Sequence, residues 1–210
     1  KTVAGVDPNL LSLDVYVPKV SADCKTKSPI MIYVHGGGWQ KGDKAAQIKT
    51  KSEYFTRRGY VFASINYRLT PAVFYPTHNQ DVTAAVKYIY DNVEKLNADK
   101  SQIAIMGHSA GGGIVAAITT NEKYLNDVGL SLNIMKCAIG LDGAGYDITQ
   151  KGDEEMFYTA FGTDQATWYD ASPINHVAAN KGIPPFFLVT RSQAQKQAID
   201  KSFKQKLDEA

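Results

Sequence analysis

The sequence predicts an α/β fold with a mainly parallel central sheet flanked by helices. Short apolar runs, bounded by Gly or Pro, alternate with segments whose apolar residues recur at helical spacing, as βα units do. That alternation continues along the chain without an internal repeat, a low-complexity tract or a Pro/Gly/Ser-rich linker. A length of 210 residues, 44% hydrophobic and 21% charged, suits one domain with a sizeable core.

The elements follow in order. "LSLDVYVP", from Leu11 to Pro18, alternates with period two and reads as an edge or antiparallel strand. "PIMIYVHGGG" is a continuous apolar run that ends in glycines, as a buried strand feeding a loop does. Residues 44–58 read as a helix and "YVFASINYRL" as a strand. "NQDVTAAVKYIYDNVEKL" places Val82, Ala85, Val86, Ile89 and Val93 on one helical face. "QIAIMG" is a strand and "GGGIVAAITTNEKYL" a helix; "MKCAIGLDG" and "PPFFLVTR" are further strands, and "AQKQAIDKSFKQKL" closes as a helix. Residues 145–173 are acidic, aromatic and irregular, and read either as a small lid or as a surface excursion.

A net charge of +2 gives no electrostatic reason to expect nucleic acid, and the scattered lysines read as solvated surface. No apolar run reaches the length of a membrane span. Lys1 leads straight into "TVAGVDPNLLSLDVYVP" with no signal-peptide pattern, so the start reads as a mature or trimmed end. Cytoplasmic and secreted or periplasmic locations both stay open. Cys24 and Cys137 could form one disulfide, a weak pointer to an oxidising compartment. No Cys/His cluster has zinc spacing, and no metal is expected.

The chemistry concentrates at "GHSAG", Gly107 to Gly111, where a strand gives way to a helix. Gly-x-Ser-x-Gly at such a corner is a nucleophile elbow: a strained serine projects its Oγ, and the glycines leave room for the sharp bend. The helix amino end aims unpaired N–H groups at the same spot. An oxyanion formed at Ser109 would meet the N–H of Ala110. "HGGGW", His35 to Trp39, ends an earlier strand and offers further donors without side chains in the way; Gly37 and Gly38 are the candidates, with Gly36 setting the turn. Each motif alone occurs by chance, but here both follow apolar strands in the right order.

"HGGGW…GD" together with "GHSAGGG" resembles the α/β-hydrolase esterases related to hormone-sensitive lipase and the bacterial carboxylesterases. "INYRL", "DVTAAVKYI" and "ASPI" resemble that family's connecting segments, so the likeness covers the chain from about Leu11 onward. The resemblance implies the α/β-hydrolase fold with at most a small lid, and hydrolysis of a small-molecule carboxylic ester through an acyl-serine, with no cofactor. Amide or formamide hydrolysis and peptidase action remain open on the same elbow. So does a hydrolase-like binding protein that has lost its base.

The base is the difficulty. Of the four histidines, His108 adjoins Ser109 but is expected to pack beneath the turn. The resemblance makes His35 an organiser of the glycine loop. His78 opens a helix, where a partly exposed role is expected, and His176 is the least implausible substitute. In the family the base lies on a loop after the last strand, whereas this chain stops at "KQKLDEA"; the expectation is a sequence that ends before the final strand and its histidine. The family's acid follows the strand read here as "PPFFLVTR", but Ser192, Gln193, Ala194 and Gln195 stand there. Asp200 is farther on, with a surface role expected. Asp142 and Asp147, after the preceding strand, are the candidate acids; each has a plain alternative as a turn former. Asp81 is expected to be structural. Trp39, Tyr67, Phe74, Tyr75, Tyr146, Phe157, Tyr158, Phe161, Trp168 and Tyr169 are candidate pocket walls.

Overall fold

Alternation within the apolar runs decides which side chains meet on each face of the sheet. The structure, a computed structural model, describes residues 3–19, 26–46, 48, 50–151, 154–191 and 194–210. The strands are β1 (Leu13–Tyr16), β2 (Ser28–Val34), β3 (Val61–Ile65), β4 (Ala98–His108), β5 (Met135–Leu141) and β6 (Phe186–Val189). They form one sheet in the order β1-β3-β2-β4-β5-β6. β1 pairs antiparallel to β3, and the remaining pairings are parallel. The helices are α1 (Lys51–Thr56), α2 (Thr77–Asp91), α3 (Ala110–Thr120), α4 (Lys123–Asn126), α5 (Glu155–Phe161), α6 (Gln165–Ala171) and α7 (Ala194–Asp208). This is the α/β-hydrolase architecture.

On one face Ile30, Ile32, Val34, Ala63, Ile65, Ile103 and Ile105 join the main core with the inner faces of α2 and α3. Met31, Tyr33, Phe62 and Met106 point the other way and meet Phe55 of α1. α3 is buried along its whole length, which explains why it is apolar on all sides rather than on a stripe. Register then positions the site. Val34 pairs with Gly107, so the glycine loop after β2 and the elbow after β4 leave the sheet side by side. Leu141 pairs with both His108 and Val189, so the ends of β5 and β6 emerge next to the elbow. Crevices at the carboxyl ends of parallel strands are the usual ligand sites of such sheets.

Three expectations need correction. Among the described residues, the helix expected over 44–58 is confined to Lys51–Thr56. Upstream, Lys44 is drawn into tertiary bonds instead: its N–H donates to Asn66 Oδ1, its carbonyl accepts from Ser64 Oγ, and its ammonium pairs with Asp14. The helix after the elbow breaks at Asn121, which is extended (φ −101°, ψ 102°), and resumes as α4. Residues 145–173 are mostly helical, and Phe157, Phe161 and Trp168 from that stretch belong to the main core. Cys24, Ser192 and Gln193 lie outside the described residues. Cys137 is a free, half-buried thiol.

Candidate active site

Ser109 has φ 51° and ψ −120°, a left-handed conformation that an L-residue holds only when its surroundings force it. Four backbone bonds do so. Ser109 N donates to Leu141 O at 3.0 Å, and its carbonyl accepts from Gly112, Gly113 and Ala144 at 2.8, 3.2 and 3.0 Å. The glycines are there because nothing larger fits. A Cβ on Gly107 would run into the Gly111 carbonyl, one on Gly111 into the carbonyls of Val34 and His35, and one on Gly113 into the Ala144 carbonyl. The residue is half-buried, and among the described residues its Oγ has no hydrogen-bond partner. It opens into a cavity of about 210 Å³.

The glycine loop lies against the elbow: a Cβ on Gly36 would stand 3.0 Å from Ser109 Cβ. Gly37 (φ 123°) and Gly38 (φ 62°) take backbone conformations that side chains oppose. Both are half-exposed, and among the described residues neither N–H has an acceptor. Ala110, first in α3, carries one of the helix's unpaired N–H groups. The loop is braced from beneath. Tyr67 Oη donates to the His35 carbonyl at 3.0 Å, and the His35 ring stacks on Tyr67 at 4.4 Å. His78 meets the same tyrosine edge-on, 6.1 Å away.

Asp142 also has φ 51°. Arg191 donates to its Oδ1 from the main chain at 3.2 Å, and to Oδ2 from Nε and Nη2 at 3.1 and 2.8 Å; Lys196 Nζ adds 2.7 Å to Oδ1 and 2.6 Å to the main-chain oxygen. Burial pushes this carboxyl upward, but Lys196 and Arg191 outweigh it and hold the acid well below the usual carboxylate range. Those donors occupy about all the lone-pair positions a carboxylate has. Asp147 lines the same cavity as Ser109 and has different partners. It accepts from Thr149 N and Oγ1 and from Gln150 Nε2, capping a short 3-10 turn.

The histidines divide clearly. His176 Nε2 sits 2.7 Å from the Asp170 carbonyl and 3.3 Å from Asn121 Nδ2, at the far end of the 11-residue α3, about 16 Å from the elbow. It is no substitute base. His78 is not exposed as expected: it is 1% exposed, its Nε2 has no partner among the described residues, and burial lowers its pKa to about 4. Burial also lowers His35 and His108. The His108 ring packs against Gly36 and makes no hydrogen bond to Ser109. Asp81 is structural, binding Arg68 through Nε and Nη2 at 2.8 Å each.

Sequence reading missed much of the cavity wall, including Met156 of α5 and two charged members on α7. Asp200, expected at the surface, is 7% exposed, lines the cavity and has its pKa raised by burial. Lys196 lies one turn before it. Their i,i+4 spacing, in line with the buried Ile199 and Phe203, was the available signal that charges face inward on α7. Of the candidate aromatics, Tyr146 and Phe157 line the cavity. Trp39, Tyr67, Phe161 and Trp168 are core, while Phe74, Tyr158 and Tyr169 are exposed on the surface.

Known proteins resemble this chain in sequence and in fold. The family profile described as BD-FAE matches residues 13–206. Esterase LipC of Mycobacterium tuberculosis is 30% identical over 210 residues, covering 92% of this chain and 50% of LipC. The probable carboxylic ester hydrolase LipM of the same organism is 28% identical over 181 residues, covering 80% and 41%. Arylacetamide deacetylase of Oryctolagus cuniculus is 35% identical over 137 residues, covering 63% and 33%. The chain thus spans half or less of the length of these relatives. Among solved structures, Thermogutta terrifontis esterase 2 superposes with a TM-score of 0.73 at 24% identity, covering 94% of this chain and 72% of that one. Esterase B from Lactobacillus rhamnosis gives 0.77 at 22%, covering 99% and 68%.

Proposed function

This chain belongs to the BD-FAE family of α/β-hydrolase esterases, and on that premise we propose that it hydrolyses carboxylic esters through an acyl-serine. Ser109 Oγ attacks the ester carbon. Charge that develops on the carbonyl oxygen is taken by the N–H groups of Gly37, Gly38 and Ala110, which are held in place before the reaction and need no rearrangement. The observation that carries this reading is the strained, half-buried Ser109, whose hydroxyl has no partner among the described residues, beside Gly37 and Gly38, whose N–H groups have no acceptor among them.

Asp142 is the proposed acid, because it leaves β5 next to the elbow whereas Asp147 is spent on a cap. No histidine among the described residues hydrogen-bonds to Ser109 or Asp142, and the reading requires an imidazole there. The open side of β6 is the place for it: among the described residues β6 pairs only with β5, and Phe187 and Val189 are 60% and 42% exposed on its uncovered face. A strand added there would bring the loop that follows it toward Asp142. Amide hydrolysis is the second reading, favoured by the likeness to an arylacetamide deacetylase.

The test uses full-length protein, including whatever the gene encodes beyond Ala210. A fluorophosphonate should label it covalently, and Ser109→Ala should abolish both labelling and p-nitrophenyl acetate turnover, a loss of roughly 10⁶ in kcat. Turnover that survives Ser109→Ala removes the acyl-serine; an unlabelled, inactive full-length protein leaves a binding protein.

A further inference from the structure

We propose that Met156 sets the length of acyl group the site accepts, an inference that rests on the ester-hydrolase reading. Met156 lies in the first turn of α5 and lines the cavity with Ser109, Gly143 and Ala144. Its thioether lies over the glycine loop: a Cβ on Gly38 would stand 3.0 Å from Sδ and 3.3 Å from Cγ. The side chain therefore closes the space directly above a proposed oxyanion donor.

The roof that carries it is fixed. Phe157 and Phe161, from the same helix, pack on the Trp39 indole at 5.5 and 4.9 Å, and Trp39 itself follows Gly38 and is 2% exposed. Roof and donor loop are thus one packed unit, in which Met156 is the half-buried, unbranched member facing the cavity. The cavity volume, about 210 Å³, is below the roughly 300–1,000 Å³ common for small-molecule sites. A short acyl group fits; a longer one must displace the thioether. Truncating Met156 extends the cavity along the roof, and enlarging it fills the remaining space. Of its neighbours in the wall, Gly143 and Ala144 have little to remove and Phe157 anchors the roof.

Initial rates of the full-length enzyme on p-nitrophenyl acetate, butyrate and octanoate provide the test. Met156→Ala should raise the octanoate-to-acetate ratio of kcat/KM about tenfold, and Met156→Phe should lower the butyrate-to-acetate ratio by a similar factor. Opposite shifts in the two variants cannot come from a shared loss of fold. Ratios that stay within twofold of wild type in both variants, while Ser109→Ala is inactive, overturn the role of Met156 alone. Activity that persists in Ser109→Ala, or no turnover of any ester by wild type, overturns the serine reading and this inference with it.

Discussion

Around Ser109 the chain works by leaving side chains out; around Asp142 it works by bringing charged ones in. The elbow and the glycine loop are held by backbone bonds and by glycines whose missing Cβ atoms let two main chains touch. The turn at Asp142 has the same positive φ, yet its partners are the guanidinium of Arg191 and the ammonium of Lys196, from β6's exit and from α7. The first construction rests on main-chain bonds, and its titratable rings, His35 and His78, lie beneath the glycine loop rather than in the cradle itself. The second is adjustable: Arg191's side chain is 78% exposed and its ion pair is cheap to exchange for another donor. A backbone cradle suits groups that must stay put, such as oxyanion donors. A side-chain clamp suits an acid that must trade one partner for an imidazole.

That contrast is sharpened first by the acid. Asp142→Asn should lower kcat of the full-length enzyme by roughly 10⁴, as loss of a triad acid does. Asp147→Ala should leave kcat within a few-fold and destabilise by about 1 kcal/mol through the lost cap. Equal kcat losses in the two variants would erase the distinction between clamp and cap.

Next comes pH, which should act on the braced loop before it acts on the clamp. His78 is neutral when folded, with a pKa of about 4, against 6.5 for the free side chain. Below pH 6.5 the unfolded chain takes up this proton and the folded one does not, so stability falls as pH drops from 6.5 toward 4 and levels off below. The loss totals about 3 kcal/mol. His78→Gln should flatten that part of the profile in urea titrations, whereas an unchanged slope would remove His78 as its source. The Asp142 clamp loses stability only at still lower pH, because its folded pKa is depressed.

The smallest effect tests sterics. Gly111→Ala gains about 1 kcal/mol in helix propensity, yet its Cβ meets the Val34 and His35 carbonyls. A net destabilisation of about 2 kcal/mol is expected in urea unfolding. A neutral or stabilising result would mean the two backbones are not in contact.

The sequence by itself determined the sheet, the elbow and the glycine loop. These depend on local features: period-two apolar runs, Gly at fixed offsets from Ser109, and a strand before each motif. It also determined that Asp142 follows β5, since chain order alone places it there. Only the tertiary structure gave Asp142 and Asp147 their different partners, buried His78 and Asp200, and carried His176 to the far end of α3. Those outcomes rest on residues 49 and 54 positions apart meeting across the sheet, as Arg191 and Lys196 meet Asp142. A carboxylate's role follows from which donors reach it, and donors that arrive from other elements leave no periodicity in the chain.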